Sequence, residues 1–182
     1  MQQLEINTDR LVLRTISIHD TEAILKYRSD DNANKYQGWI PNSIEDVFEF
    51  INKRVVPEIN QPNTWHQLVI IQKDSNEIIG DIGIHFMDQE GLQVEVGFTL
   101  DKNHQGKGYA TESIQKVIGY LFNILNKHRV VASVDPRNKK SIRLLERLGF
   151  RKEAHFKKSL LMNGVWVDDI IYAILKEEWL EK

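Results

Sequence analysis

Residues 105–110 read Gln-Gly-Lys-Gly-Tyr-Ala and stand between two segments of different periodicity. Ahead of them, Val94-Glu95-Val96-Gly97-Phe98-Thr99-Leu100 alternates in the manner of a strand. Behind them, apolar residues recur at Ala110, Ile114, Val117, Ile118, Leu121 and Leu125, one face of a helix. A strand therefore feeds a glycine-rich turn that opens a helix. The first turn of a helix has amide N–H groups without intrahelical acceptors, at the positive end of the helix dipole, and the two together attract an anion. Glycine at 106 and 108 removes the Cβ that would hold a ligand off the backbone. The expected anion is a phosphate or pyrophosphate. A Rossmann fingerprint needs three glycines and an acidic residue about twenty positions on. A Walker loop needs Ser or Thr directly after Gly-Lys; here Gly106-Lys107 is followed by Gly108, so that reading fails.

The rest of the chain narrows the class. Its 182 residues suffice for one domain, spanning 1–182, with a substantial core. A content of 41% hydrophobic and 27% charged residues is that of an ordered globular protein, and no repeat or low-complexity linker divides it. The formal net charge of −2 provides no basic field for nucleic acid or an anionic membrane. With no cysteine there is no disulfide, cysteine nucleophile or thiolate metal site. The six histidines show no metal-ligand spacing, so no metal is expected. The start, Met1-Gln2-Gln3-Leu4-Glu5, lacks the features of a secretion signal, and no apolar run reaches membrane-spanning length; a cytoplasmic location is expected.

Leu11–Arg14 reads as a strand, and Ser17-x-x-Asp20 as a capping box for a helix with Ala23, Ile24 and Tyr27 inward. Ser43-x-x-Asp46 starts a second helix, with Val47, Phe48, Ile51 and Val55 inward and Pro57 as its stop. Strands follow at 66–71, 78–87 (with Gly80 or Gly83 marking a bulge) and 92–100, an antiparallel meander. The pattern then becomes helix 108–126, strand 129–134, helix 139–148 ending at Gly149, and two strands, 150–159 and 165–175, joined by an Asn163-Gly164 hairpin turn. Because a helix crosses between them, strands 92–100 and 129–134 should be parallel. The fold class is α/β, of the α+β kind.

Gln105-x-x-Gly108-x-Ala110 resembles the pyrophosphate loop of the GNAT superfamily of N-acetyltransferases. About thirty residues on, Asn138-x-x-Ser141-x-x-Leu144-x-x-x-Leu148-Gly149-Phe150 resembles that superfamily's second signature segment. Thr8-x-Arg10-Leu11-x-Leu13-Arg14, Gly38-Trp39-Ile40-Pro41, Glu95-Val96-Gly97-Phe98 and Asn163-Gly164-x-Trp166-x-Asp168 are similar to the ribosomal-protein-alanine N-acetyltransferase branch, so the resemblance covers nearly the whole chain. It implies a mixed, mostly antiparallel sheet of about seven strands flanked by helices, with the central parallel strands splayed apart. It implies acetyl-CoA as cosubstrate, held by Phe98, Thr99 and Leu100 on the strand, by Gln105, Gly106, Lys107, Gly108, Tyr109, Ala110 and Thr111 at the loop, and by Asn138 and Ser141 beyond it. The reaction implied is direct attack of a primary amine on the thioester. The acceptor is a protein or peptide N-terminal α-amine, or alternatively a small amine such as a polyamine, aminoglycoside or amino-acid derivative. A non-catalytic acyl-CoA-binding module is the remaining alternative.

Within that resemblance Glu95 is the general base. The acid that many members supply from a tyrosine falls here on Leu145; Ser141 is the substitute candidate, or the thiolate leaves without help from the protein. Tyr36, Trp39 and His85 are candidates for the acceptor pocket beside Glu95, although His66 and His85 also suit structural histidines. Asp168-Asp169 either attracts a cationic acceptor or ends a strand turn. A homodimer is expected by analogy.

Overall fold

The computed structural model describes residues 4–162 and 164–180. It contains one sheet of eight strands: β1 (Glu5–Asn7), β2 (Leu11–Thr15), β3 (Thr64–Gln72), β4 (Glu77–Phe86), β5 (Gln93–Leu100), β6 (Arg129–Val134), β7 (Arg151–Met162) and β8 (Val165–Leu175). They lie in the order β1-β2-β3-β4-β5-β6-β8-β7. All neighbours are antiparallel except β5 and β6. The one strand beyond the seven expected is the three-residue β1, too short to show a period. A register shift between Ile70 and Ile71 puts the bulge of β4 at Ile79, beside Gly80; Gly83 is regularly paired with Gln67 and Gly97.

The helices are α1 (Thr21–Arg28), α2 (Asp31–Asn34), α3 (Ile44–Arg54), α4 (Tyr109–Asn123), α5 (Lys139–Arg147) and α6 (Lys176–Leu180). The Asp20 carboxylate accepts from the Ser17 amide at 2.7 Å and from Arg14 at 2.8 and 2.7 Å, so the first capping signal also carries an ion pair. It opens a 3-10 turn, Ile18–Asp20, that runs into α1. Helix α2 was not anticipated: its four residues are fixed by a cap, the Asp30 carboxylate accepting from the Ala33 amide at 3.0 Å. Helix α3 begins at the expected Ser43 box, with Ser43 Oγ accepting from the Asp46 amide at 3.1 Å. Its inward face is Val47, with Phe50 and Ile51 partly buried; Val55, expected on the helix, is the extended residue just after it, buried where it bridges to Trp65 of β3. Phe48, expected inward, is 51% exposed because one residue of advance turns it about 100° away from Val47.

The sheet packs on both faces. The larger core joins β-strand residues such as Leu13, Ile70, Ile84, Val96, Val130 and Ile174 to α4 and α5 through Ile114, Val117, Leu121, Leu144 and Leu148. The smaller joins Val69 and Ile71 to Ile24 and Tyr27 of α1 and Val47 of α3. Within it Asp81 (β4) accepts from Arg28 Nε and Nη2 at 2.8 and 2.5 Å, from Gln67 Nε2 at 2.7 Å and from the Tyr27 hydroxyl. Arg28 also stands 5.2 Å from the Trp39 ring, which stacks on Phe50 at 4.4 Å. His66 is buried between Thr15 Oγ1 and the Val56 carbonyl, and burial lowers its pKa: it is a structural histidine. Leu148 closes α5, and Gly149 follows at φ 88°, as a C′ glycine should. Gly164 has φ 77°, but Asn163 of the expected hairpin turn lies outside the described residues.

The parallel pair decides the rest. β5 and β6 are in register at Gln93↔Arg129, Val94↔Val130 and Glu95↔Val131, and then separate. Beyond that point the Phe98 carbonyl, which faces away from β4, accepts from Gln37 Nε2 at 3.2 Å, and the Leu100 carbonyl from Gln105 Nε2 at 3.1 Å. The N–H of a strand residue points to the same side as its carbonyl, so the Phe98 amide also faces the opening.

Candidate active site

The opening between β5 and β6 is lined by Tyr36, Gln37, Val96, Gly97, Phe98, Ser133, Asp135, Asn138, Ser141 and Leu145, among others. Asn138 and Ser141 reach it because α5 starts there: Asn138 Oδ1 accepts from the Ser141 amide at 3.2 Å and caps the helix. The cap leaves Asn138 Nδ2 and Ser141 Oγ without a hydrogen bond among the described residues. Ser141 is thus relieved of the capping duty that would explain a serine in the first turn. Leu145, at the position where many members of the resembled family carry a tyrosine, is 1% exposed and purely apolar wall. Tyr36 lines the opening, whereas Trp39 is taken up by Phe50 and Arg28 in the smaller core.

At one end of this opening lies the glycine loop. Gly106 and Gly108 have φ of 78° and 84°, a left-handed conformation that side chains disfavour. A Cβ at Gly108 would also lie 3.3 Å from Arg10 Nη2. The first helical hydrogen bond runs from the Glu112 amide to the Gly108 carbonyl at 3.0 Å. None of the amides from Gly106 to Thr111 has an acceptor among the described residues. These unpaired donors and the α4 dipole make an anion cradle. Arg10 borders it, its Nη1 donating to the Lys107 carbonyl at 3.0 Å and its Nε to Glu112 at 2.7 Å. The Thr8 hydroxyl and Arg10 amide also donate to Glu112, at 2.6 and 3.0 Å. Lys140 reaches Gln105 Oε1 at 3.1 Å. Tyr109 contributes its amide only, since its ring is buried under Arg10 and its hydroxyl accepts from Gln72 at 3.1 Å. The Thr99 side chain is buried too, and its hydroxyl has no partner among the described residues. Lys107 is exposed, and Ala110 and Thr111 are half-buried on the first turn of α4.

Glu95 stands at the last β5–β6 pair, on the face opposite Val94 and Val96, which are in the larger core. Its cross-strand partner is His85, whose Nδ1 is 3.7 Å from Glu95 Oε2, and His85 stacks on Trp65 at 4.6 Å. Burial raises the Glu95 pKa above the usual carboxylate range; His85 pulls it down and Asp169 pushes it up, with a net rise. Asp169 accepts from Ser133 Oγ at 2.7 Å. Sequence reasoning passed over Arg10, Gln37 and Ser133. Alternation along Arg129–Val134 puts Ser133 on the Glu95 face, a signal that was available; Arg10 and Gln37 meet their partners 97 and 61 residues away, and no local signal exists for them. Among the described residues no group of three or more potential metal ligands occurs, and no helix is long and apolar enough to cross a membrane.

The chain is 35% identical over 179 residues to the uncharacterized N-acetyltransferase YnaD of Bacillus subtilis, covering 97% of this chain and 99% of that one. It is 27% identical to the [ribosomal protein uS5]-alanine N-acetyltransferase of Escherichia coli, over 97% and 93% of the two chains. An acetyltransferase (GNAT family) from Bacillus anthracis superposes with a TM-score of 0.85 at 31% identity, over 96% and 99%. Spermidine N-acetyltransferase from Vibrio cholerae, in complex with CoA and spermine, superposes with a TM-score of 0.81 at 26% identity, over 95% and 99%. The acetyltransferase (GNAT) domain family matches residues 10–151. With its splayed parallel pair and glycine cradle, the chain belongs to the GNAT family of acetyl-CoA-dependent N-acetyltransferases.

Proposed function

We propose that the chain acetylates the α-amine of a peptide or protein N-terminus, with Glu95 as the general base. One observation carries this reading: a half-buried carboxylate with a raised pKa stands where the sheet opens, on the face away from α4. An alkyl ammonium must lose a proton before it attacks, and a base with a raised pKa is better matched to that task. The residues fit acetyl-CoA. The loop amides suit its pyrophosphate, and the outward-facing groups of β5 suit an amide-bearing arm laid along the strand. Bound there, acetyl-CoA supplies the activated acyl group. Glu95 takes the proton, directly or through a water. The Phe98 amide is placed to donate to negative charge developing in the opening. The Ser141 hydroxyl is the available donor for the departing sulfur. Ser141→Ala is expected to lower kcat on the order of tenfold, less than a typical general acid because a thiolate leaves readily; an unchanged kcat would remove Ser141 from the chemistry.

The peptide assignment draws on the ribosomal-protein enzyme, similar along nearly its whole length. A polyamine is the second reading. It is favoured by two carboxylates, Glu95 and Asp169, that stand near each other where the β5–β6 pairing ends and have no Lys or Arg partner among the described residues, and by the similarity to a spermidine enzyme. Thiol release from acetyl-CoA, followed with alanine- and serine-starting peptides, spermidine and aminoglycosides, tests both. With no cysteine in the chain, a thiol reagent reports product alone. Release with the peptides supports the first reading. Release with spermidine alone replaces it with the second, and silence across all amines overturns both.

A further inference from the structure

Asp169 is only 7% exposed, yet the one hydrogen-bond partner of its carboxylate among the described residues is the hydroxyl of Ser133. The neighbouring cations are engaged elsewhere. Arg137 holds Asp135, at 2.6 Å, and His155 and Lys157 hold Asp168, at 2.8 and 3.2 Å. A buried carboxylate with a single hydroxyl donor is poorly compensated, and a cation from outside would offset the cost. There is room for one. Ser133 is two residues past the last β5–β6 pair, so it stands across the opening from Gly97, itself two residues past Glu95. A Cβ built on Gly97 meets nothing within 4 Å. A space open over Gly97 therefore has Glu95 on one side and the Ser133–Asp169 pair on the other.

We propose that Asp169, oriented by Ser133, binds the acceptor's ammonium group and delivers it to Glu95. This rests on the acetyltransferase reading above and names the acceptor-binding residue of the same site. The ammonium enters as a cation paired with Asp169. Glu95 then takes one proton and becomes neutral, and the amine, now uncharged, is no longer held by Asp169 and is free to attack. Asp169 keeps its charge throughout, and Ser133 acts only by positioning it.

The test is steady-state kinetics with the best amine of the panel, alongside acetyl-CoA binding. Asp169→Asn keeps the shape and removes the charge. It should raise the acceptor KM roughly tenfold or more, with acetyl-CoA affinity retained and kcat lowered far less than KM is raised. Ser133→Ala should raise the acceptor KM in the same direction by a smaller factor. A purely structural role would not confine the loss to the acceptor. An unchanged acceptor KM in Asp169→Asn, with acetyl-CoA still bound, overturns the proposal and leaves the acetyltransferase reading standing. Should Asp169→Asn lose acetyl-CoA binding through misfolding, Ser133→Ala decides, and an unchanged KM there overturns it. Failure of the unaltered protein to turn over any amine strikes at the reading beneath the proposal instead.

Discussion

Glu95→Gln is expected to lower kcat by about 10²–10⁴-fold, the range for loss of a positioned general base. Acetyl-CoA affinity should stay within about twofold, since the loss falls on a step after binding. Glutamine has the shape of the carboxylate and cannot accept the proton. A kcat within about threefold of the unaltered protein would exclude Glu95 as the base. The pH profile gives a second view. Burial holds the Glu95 pKa above the usual carboxylate range, so the acid limb of kcat/KM should lie above that range as well, and it should vanish in the glutamine variant. Stability runs the other way. The folded-state pKa exceeds the unfolded one, so as pH rises between them the unfolded chain gives up its proton first and stability falls. Above that window the ionised carboxylate is a standing cost, and Glu95→Gln should be no less stable than the parent at neutral pH. Activity and stability are opposed at this residue.

The largest effect on folding is expected at Asp81. Asp81→Asn should destabilise the protein by about 3–5 kcal/mol, measured by denaturant unfolding. Asp81 receives hydrogen bonds from Tyr27, Arg28 and Gln67, and is 2% exposed. Arg28 is 8% exposed, and without Asp81 its charge is buried with no counter-ion among the described residues. Asparagine retains one acceptor oxygen but not the charge. Replacing both partners together, Asp81→Leu with Arg28→Met, should recover much of the loss, since an apolar pair carries no desolvation penalty. A loss under about 1 kcal/mol in the single variant would mean that the pair is no more than a surface-grade ion pair.

What the sequence disclosed follows the range of the forces involved. The glycine loop was legible because a left-handed turn is a local demand, met by Gly106 and Gly108 themselves. Strand β6 and helix α5 were legible because their apolar periods are set within a few residues. Helix α2 has four residues, too few for a period to appear. The facing of Phe48 was misjudged because an apolar residue next to an inward position looks inward in sequence, and only the packing of α3 shows otherwise. Glu95, His85 and Asp169 could each be singled out in the sequence, but not the contacts that join distant residues. Ser133 and Asp169 are 36 residues apart, Arg28 and Asp81 53, and Arg10 and Glu112 102. No pattern in the chain announces such a meeting.

Three residue pairs join β5 to β6, and among the described residues they are the only strand pairs between the five-strand and three-strand parts of the sheet. The sheet is thus a book with a short spine, its pages joined elsewhere by the α4 crossover, by side-chain packing and by a few hydrogen bonds such as Lys140 to Gln105. A molecule laid in the open fold, touching both pages, acts as mortar. Since it binds the closed book and not the loose chain, its free energy of binding is added to that of folding. Resistance to heat and to proteases should then climb with the concentration of the acyl donor, and the fold itself becomes a gauge of how much donor is at hand.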